Sequence, residues 1–346
     1  MEVKIKNINE DFLKDLITFN STCFVNRNKL EESINYRIIK NPYNKNKFNS
    51  IIAVENDTGE IVGQELYMPA YVYYNKISEN IVWGHDLFVK ENYRGAAGLL
   101  LFEERNKRFR IVFGIGLSEM SFLIHMKLRF KLYGNMVKFI KFRSLFSIID
   151  FIFKRNNSIY NSFPEIVNSK IGEFKRVYNS DDMINEQKIW NSNVIEFDRY
   201  RDFLDWRFFY YKDKYKVYKC CSESNENNIS PVYFVLREIV FKNNNCLLLV
   251  DYRCNINNKT ALKSIFQTAL KILKITKSKA LITGCSFREG EKILKHSWFF
   301  PFGIPLQIVS NIHNLNPIFK NLDDNIPIFV TFADSDSDFY YGNEEW

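Results

Sequence analysis

Apolar and polar positions change period several times along the chain. Val3 to Ile5 reads as a short strand, and Asp11 to Phe19 carries Phe12, Leu13, Leu16 and Ile17 at helical spacing. Ser50 to Val54 is an apolar strand, Asp57-Thr58-Gly59 a hairpin turn, and Ile61 to Tyr74 and Ile81 to Val89 are long strand-like runs. Gly95 to Lys107 predicts a helix, Ile111 to Gly116 a strand and Ser118 to Leu128 another helix. The first half thus has the order β-α-β-β-β-α-β-α.

From Phe139 to Phe153 the pattern becomes aromatic and basic. Phe139, Phe142, Phe146, Ile149 and Phe153 fall at three- and four-residue steps, which predicts an apolar helix face. Lys138, Lys141, Arg143, Lys154 and Arg155 flank it, so residues 139–155 have two readings: a helix packed between two domains, the favoured one, or peripheral contact with a membrane surface. Asn156 to Ser162 is polar and marks a boundary.

The second half repeats the order. Arg201 to Tyr210 reads as a helix, Tyr215 to Cys220, Val232 to Phe241 and Cys246 to Cys254 as strands, Ala261 to Ile275 as a helix, Ala280 to Gly284 as a strand and Glu289 to His296 as a helix. Two local echoes support duplication: Tyr36-Arg37 against Trp206-Arg207, and Asp86 within Trp83 to Val89 against Asp251 within Leu247 to Cys254. The tail from Asp334 to Trp346 is acidic and reads as loose.

Composition narrows the class. With 346 residues, 46% hydrophobic and 25% charged, the chain fits two globular domains and excludes bulk disorder. The expected division is 1–155 and 156–346. A net charge of +8 favours anionic partners. Nucleic acid is not expected among them, because basic residues are scattered and Glu91, Glu103 and Glu104 interrupt any stripe. Cys23, Cys220, Cys221, Cys246, Cys254 and Cys285 form no C-x-x-C pair and read as free thiols. His85, His125, His296 and His313 show no ligand spacing, so no metal is expected. The start of the chain has no apolar signal region and no run long enough to span a bilayer, so a cytoplasmic location is expected.

The chemistry concentrates in residues 86 to 101, Asp86-Leu-Phe-Val-Lys-Glu-Asn-Tyr-Arg-Gly-Ala-Ala-Gly-Leu-Leu-Leu. A strand runs into a small-residue turn that opens a helix, and after Arg94 come Gly95, Ala96, Ala97 and Gly98. Small side chains let backbone N–H groups approach an anion, helped by the helix N-terminus. Neither G-x-x-x-x-G-K-[ST] nor G-x-G-x-x-G is present, so neither a P-loop nor a Rossmann site is indicated.

This turn resembles the pyrophosphate loop R-x-x-G-x-G/A of the GNAT superfamily of N-acyltransferases. Arg94 matches, while Ala97 and Leu99 stand where that pattern has small residues and Gly98 falls between them. A second stretch, Ser118-Glu-Met-Ser121-Phe-Leu-Ile-His125-Met-Lys127-Leu-Arg129-Phe130, is similar to the superfamily's N-x-x-A-x-x-x-Y-x-K-x-G-F and keeps its spacing. The resemblance implies an α/β (α+β) class: tandem GNAT folds, each a mixed, mostly antiparallel twisted sheet flanked by helices. It implies transfer of an acyl group from acyl-CoA, as co-substrate, to a primary amine. Backbone groups of Leu87, Phe88 and Val89 would hold the pantetheine arm. Arg94, Gly95, Ala96, Ala97, Gly98 and Leu99 would hold the pyrophosphate, and Ser118 stands at a further cofactor position.

His125 occupies the position of the family's acidic tyrosine, and as an imidazolium it would protonate the leaving thiolate. For the base, His85, Asp86 and Glu65 are candidates; strand alternation puts His85 and Asp86 on opposite faces and leaves the choice open. The second half lacks the Arg-Gly turn, so no CoA site is expected there. Paired domains of this kind resemble bacterial acetyltransferases of surface-polysaccharide synthesis, which points to an amino sugar or nucleotide-linked amino sugar as acceptor. Rival readings are a FemAB-like transferase fed by charged tRNA and a non-catalytic binding module.

Overall fold

The computed structural model describes residues 2–24, 30–44, 49–75, 77–153, 161–183, 190–211, 213–221, 231–314, 326–335 and 337–338. The elements are β1 (Val3–Asn7), α1 (Leu13–Cys23), α2 (Leu30–Ile34), β2 (Ile51–Glu55), β3 (Ile61–Tyr74), β4 (Ile77–Val89), α3 (Ala96–Arg108), β5 (Val112–Ile115) and α4 (Glu119–Lys127). They continue with β6 (Lys131–Phe142), α5 (Leu145–Ile152), β7 (Ile166–Ser169), β8 (Gly172–Val177), β9 (Ile195–Phe197), α6 (Arg201–Leu204), β10 (Tyr215–Cys221), β11 (Tyr233–Phe241) and β12 (Asn244–Arg253). The chain ends with α7 (Lys259–Ile275), β13 (Ala280–Cys285), α8 (Arg288–His296), β14 (Phe300–Pro301), β15 (Leu306–Ser310) and β16 (Ile328–Phe329).

Two compact units result, one of Met1–Tyr71, Glu79–Tyr133 and Gln307–Asp324, the other of Val72–Ser78, Gly134–Leu306 and Asn325–Trp346. The boundary expected between residues 155 and 156 lies outside the described residues. Both of its neighbours, α5 and β7, belong to the second unit.

In the first unit β1 pairs antiparallel with β2, β2 antiparallel with β3, and β4 lies beside β3. β4 runs parallel to β5, whose other edge pairs antiparallel with β15. β2 is apolar at successive positions because both of its faces are covered. Ile51 and Ala53 join a core with Val62, Tyr67, Ala97, Leu101 and Val112; Ile52 and Val54 join another with Leu16, Phe19, Ile34 and Ile38.

In the second unit β7, β8, β10, β11 and β12 form an antiparallel run. The β11–β12 hairpin turns at Lys242 and Asn243, both left-handed, as a tight two-residue connection requires. β12 is parallel to β13, and β13 is antiparallel to β6. Leu262, Ile265, Phe266, Ala269 and Leu273 of α7 seal the core over Phe234, Leu247, Leu249 and Leu281. A mostly antiparallel sheet flanked by helices is the mixed class expected.

Three expectations are corrected. Residues 139–153 are not one helix: Val137–Phe142 pair with β13, and α5 starts only after Ser144, whose hydroxyl accepts from Ser147 N–H. Strand partners distant in sequence overrode the local helical spacing. Nor is the apolar face of α5 packed, since Leu145, Phe146, Ile149, Ile152 and Phe153 are all exposed. The start of the acidic tail is also not loose, since Asp334, Ser335, Ser337 and Asp338 are buried. Among the described residues no helix is long and apolar enough to cross a membrane.

Candidate active site

β4 carries five of the candidate residues, His85 to Val89. It pairs with β5 only through Val82↔Val112 and Trp83↔Phe113, yet it continues to Val89. From Gly84 onward the strand leaves its β5 edge, and residues 84–89 are half-buried where residues 81–83 are buried. Backbone groups on such an edge are open to hydrogen bonding with a bound extended chain.

A local feature accompanies the departure. Asp86 is left-handed, with φ of 51°, a conformation that Asp tolerates better than most residues and that marks a bulge in a strand. The Asp86 carbonyl accepts from Gln64 Nε2 at 3.1 Å, and Gln64 is hydrogen-bonded to Asn20 of α1. The left-handed backbone at Asp86 breaks the alternation on which His85 and Asp86 would face opposite sides. Instead Arg37 Nη1 lies 3.1 Å from both His85 Nδ1 and Asp86 Oδ2, with the latter two atoms 3.4 Å apart. Arg37 sits in a buried π-helical turn, Asn35–Ile39, and its Nε also donates to Ser33 O.

At the end of β4 the chain makes a single turn, Glu91–Tyr93, and enters α3. Gly95 caps the helix with no side-chain hydrogen bond, and the first turn holds no acidic residue. A Cβ placed on Gly95 or Gly98 would meet nothing within 4 Å, so open space adjoins this end. Arg94 is exposed and its Nε reaches Val89 O at 3.5 Å. The aligned peptides of α3 place partial positive charge at Gly95 to Gly98, the arrangement that binds phosphate oxygens. Gly63 on β3 fixes the approach: a Cβ there would lie 3.2 Å from Val89 and 3.3 Å from Leu101. Leu87 and Val89 pack towards α3, Phe88 towards α1 against Phe19 and Phe24, and Leu99 is exposed.

A second cluster lies under α3. Arg105 Nη1 donates to Glu65 Oε1 at 3.0 Å and lies 3.1 Å from His125 Nε2. Tyr67 O–H donates to Glu65 Oε2 at 2.8 Å. His125 Nδ1 is 2.7 Å from Ser121 O. That pattern fixes a neutral ring: Nδ1–H donates to the carbonyl and Nε2 accepts from the guanidinium. Burial, and then the charge of Arg105, push the His125 pKa down to about 4. His125 is therefore not the imidazolium expected from the sequence. Glu65 is equally enclosed, with both oxygens engaged in the interior, and is corrected from candidate base to buried tether. Ser118 caps α4 by accepting from Ser121 N–H at 3.3 Å.

Sequence reasoning did not single out Arg105 and met Arg37 only as a repeat echo. Arg105 had a readable signal, since it continues the buried stripe of Ala97 and Leu101 at four-residue steps.

The second unit has a counterpart strand, but its flank is filled. β12 pairs with β13 from Leu247 to Leu249 and then continues to Arg253. Beyond the paired part, Arg199 Nε donates to Asp251 Oδ2 at 2.8 Å, and Thr331 Oγ1 donates to Asp251 Oδ1 at 2.7 Å. Arg199 and Arg253 both reach Asp334, and none of these four charged side chains is exposed.

This chain has the GNAT fold. Solved structures carry the likeness. A probable N-acyltransferase from Enterococcus faecalis V583 aligns over 90% of this chain and 72% of its own, with TM-score 0.59 and 9% identity. A GCN5-related N-acetyltransferase from Anabaena variabilis aligns over 92% and 74%, with TM-score 0.57 and 12% identity. Saccharomyces cerevisiae N-myristoyltransferase with bound myristoyl-CoA aligns over 89% and 82%, with TM-score 0.56 and 11% identity. At these identities the likeness is one of fold. No family profile matches the sequence, and no curated protein sequence is similar to it.

Proposed function

We propose that the protein is an N-acyltransferase that moves an acyl group from acyl-CoA to a primary amine. The observation that carries this reading is the departure of β4 from β5 after Trp83, ending at the uncapped, small-residue start of α3. An extended pantetheine arm would pair with the backbone of Leu87, Phe88 and Val89. Its pyrophosphate would meet Arg94 and the N–H groups of residues 95–98. The amine must arrive neutral, because an ammonium has no lone pair. Its nitrogen attacks the thioester carbon, the C–S bond breaks as the C–N bond forms, and the amine loses a proton while the thiolate takes one up. His85 is the group proposed to take the amine proton, at Nε2, in the tautomer whose Nδ1–H faces Asp86 Oδ2, with Arg37 Nη1 holding that carboxylate. Asp86 acts through His85 and the bulge as a positioning residue.

The finer reading, an amino sugar or nucleotide-linked amino sugar as acceptor and acetyl as the acyl group, rests on the sequence resemblance. The likeness to N-myristoyltransferase supports a second reading with a longer acyl chain. Calorimetry with acetyl-CoA, myristoyl-CoA and free CoA tests the donor site, with Arg94→Glu as control. Micromolar binding abolished by the charge reversal is expected. Absence of binding to all three would overturn the proposal in favour of a tRNA-dependent or non-catalytic role.

A further inference from the structure

α5 is turned inside out. Its eight residues, Leu145–Ile152, contain a single charged side chain, Asp150, and that carboxylate is bound to Lys279 Nζ at 2.7 Å. Phe151 faces the protein, its ring 5.2 Å from Phe142 and 5.8 Å from Phe241, and Ser147 is buried beside the N-cap. The opposite side presents Leu145 and Phe146, each 79% exposed, Ile149 at 46%, Ile152 at 66% and Phe153 at 67%. These positions follow i, i+1, i+4, i+7, i+8, which is one continuous face of a helix. An apolar face of this size on a folded chain marks an interaction site.

The charges around the helix say what covers that face. Arg143 stands just before the N-cap; its N–H donates to Lys279 O at 2.9 Å, and its guanidinium reaches the carbonyl of exposed Lys277. Lys274 and Ile275 are exposed in the last turn of α7. On the other flank, exposed Lys242 follows Phe241, the ring that packs on Phe151, and Asn244 Nδ2 donates to Phe151 O at 3.5 Å. Cations therefore surround an apolar face whose own carboxylate is neutralised. Lys141 has its pKa lowered by burial and then by the charge of Lys274.

We infer that α5 is a membrane-docking helix, laid in the plane of an anionic phospholipid surface, with Leu145, Phe146, Ile149, Ile152 and Phe153 among the acyl chains and Arg143, Lys242, Lys274 and Lys277 at the headgroups. Apolar burial supplies adhesion and the basic rim supplies selectivity for anionic lipid. A second copy of the chain is a poorer occupant, since a twofold contact would bring the same cations against one another.

The test is co-sedimentation of the full chain with vesicles of mixed phosphatidylcholine and phosphatidylglycerol, against pure phosphatidylcholine. Sedimentation with the mixed vesicles is expected, weakened by salt and reduced at least tenfold on phosphatidylcholine alone. Phe146→Asp should abolish it, and because that side chain is exposed the variant should keep its thermal unfolding midpoint. Lys277→Glu should lower the partition by about fivefold or more, near the value of a basic residue at an anionic surface. Two results would overturn the inference: a chain that stays in the supernatant with both vesicles, or a Phe146→Asp variant that sediments like the parent. If light scattering finds a dimer that Phe146→Asp dissociates, while vesicles bind neither form, the face belongs to a second copy instead.

Discussion

His125 is held neutral by its hydrogen bonds and its burial, and this has a thermodynamic consequence. Its folded pKa lies near 4, below the ordinary 6.5. The unfolded chain therefore binds the proton first as pH falls. Stability is unaffected above about pH 6.5, declines as pH falls towards 4, and levels off below; the shift is worth about 3 kcal/mol at most. Urea unfolding at pH 7 and pH 4.5 should show this loss in the parent and a smaller one in His125→Gln. An equal loss in both would sink the neutral-imidazole assignment. Asp251 behaves oppositely. Burial works to raise its pKa, but Arg199 and Arg253 outweigh that and hold it at about 2. Its stabilisation is present above about pH 4 and is lost as pH falls through 2. Removing the charge with Asp251→Asn leaves two buried guanidinium groups short of a partner, and a loss of about 3–5 kcal/mol is expected from denaturant titration.

At the scale of elements, the bulge at Asp86 separates two properties that a normal strand would combine. The left-handed backbone lies in the part of β4 beyond its pairing with β5, while the carboxylate holds Arg37 and His85. Asp86→Asn keeps a residue that tolerates this backbone and should retain CoA affinity while lowering kcat. Asp86→Val forces a β-branched residue into the left-handed region at a cost of roughly 1–3 kcal/mol and should weaken CoA binding as well. Calorimetry beside steady-state kinetics distinguishes the two; equal kcat in the parent and Asp86→Asn would remove Asp86 from the reaction. Sequence made part of this legible. β3 was readable to both ends, Ile61 to Tyr74, because it is rich in β-branched and aromatic residues, and α4 was readable because Ser118 is a good cap. The bulge was not, since φ leaves no trace in residue spacing. The pairing of β6 with β13, and of β15 with β5, joins residues more than a hundred positions apart, which local periodicity cannot report. The π-helical turns at Tyr36-Arg37 and Trp206-Arg207 explain why that dipeptide echo was detectable: both bury their arginine in the same kind of turn.

For the whole molecule, the two units share an order: strands in succession, a helix, a strand parallel to the last of them, and another helix. They differ at the flank of the strand that outruns its partner. Beside β4 the backbone from Gly84 to Val89 is half-buried, and α3 begins with small residues and no side-chain cap. Beside β12, Asp251, Tyr252 and Arg253 are fully buried among Arg199, Thr331 and Asp334, and α7 begins at Asn258, whose side chain accepts from Ala261 N–H. A cofactor arm could enter the second flank only by displacing a buried ion-pair network, which leaves charges unpaired and is strongly unfavourable. The chain should therefore bind a single acyl-CoA, and titration calorimetry at protein concentrations well above Kd should give a stoichiometry near one. Arg94→Glu should then remove the whole of the binding heat, with no residual isotherm. A stoichiometry near two, or a surviving isotherm in that variant, would mean that the Asp251 network opens to admit a second cofactor.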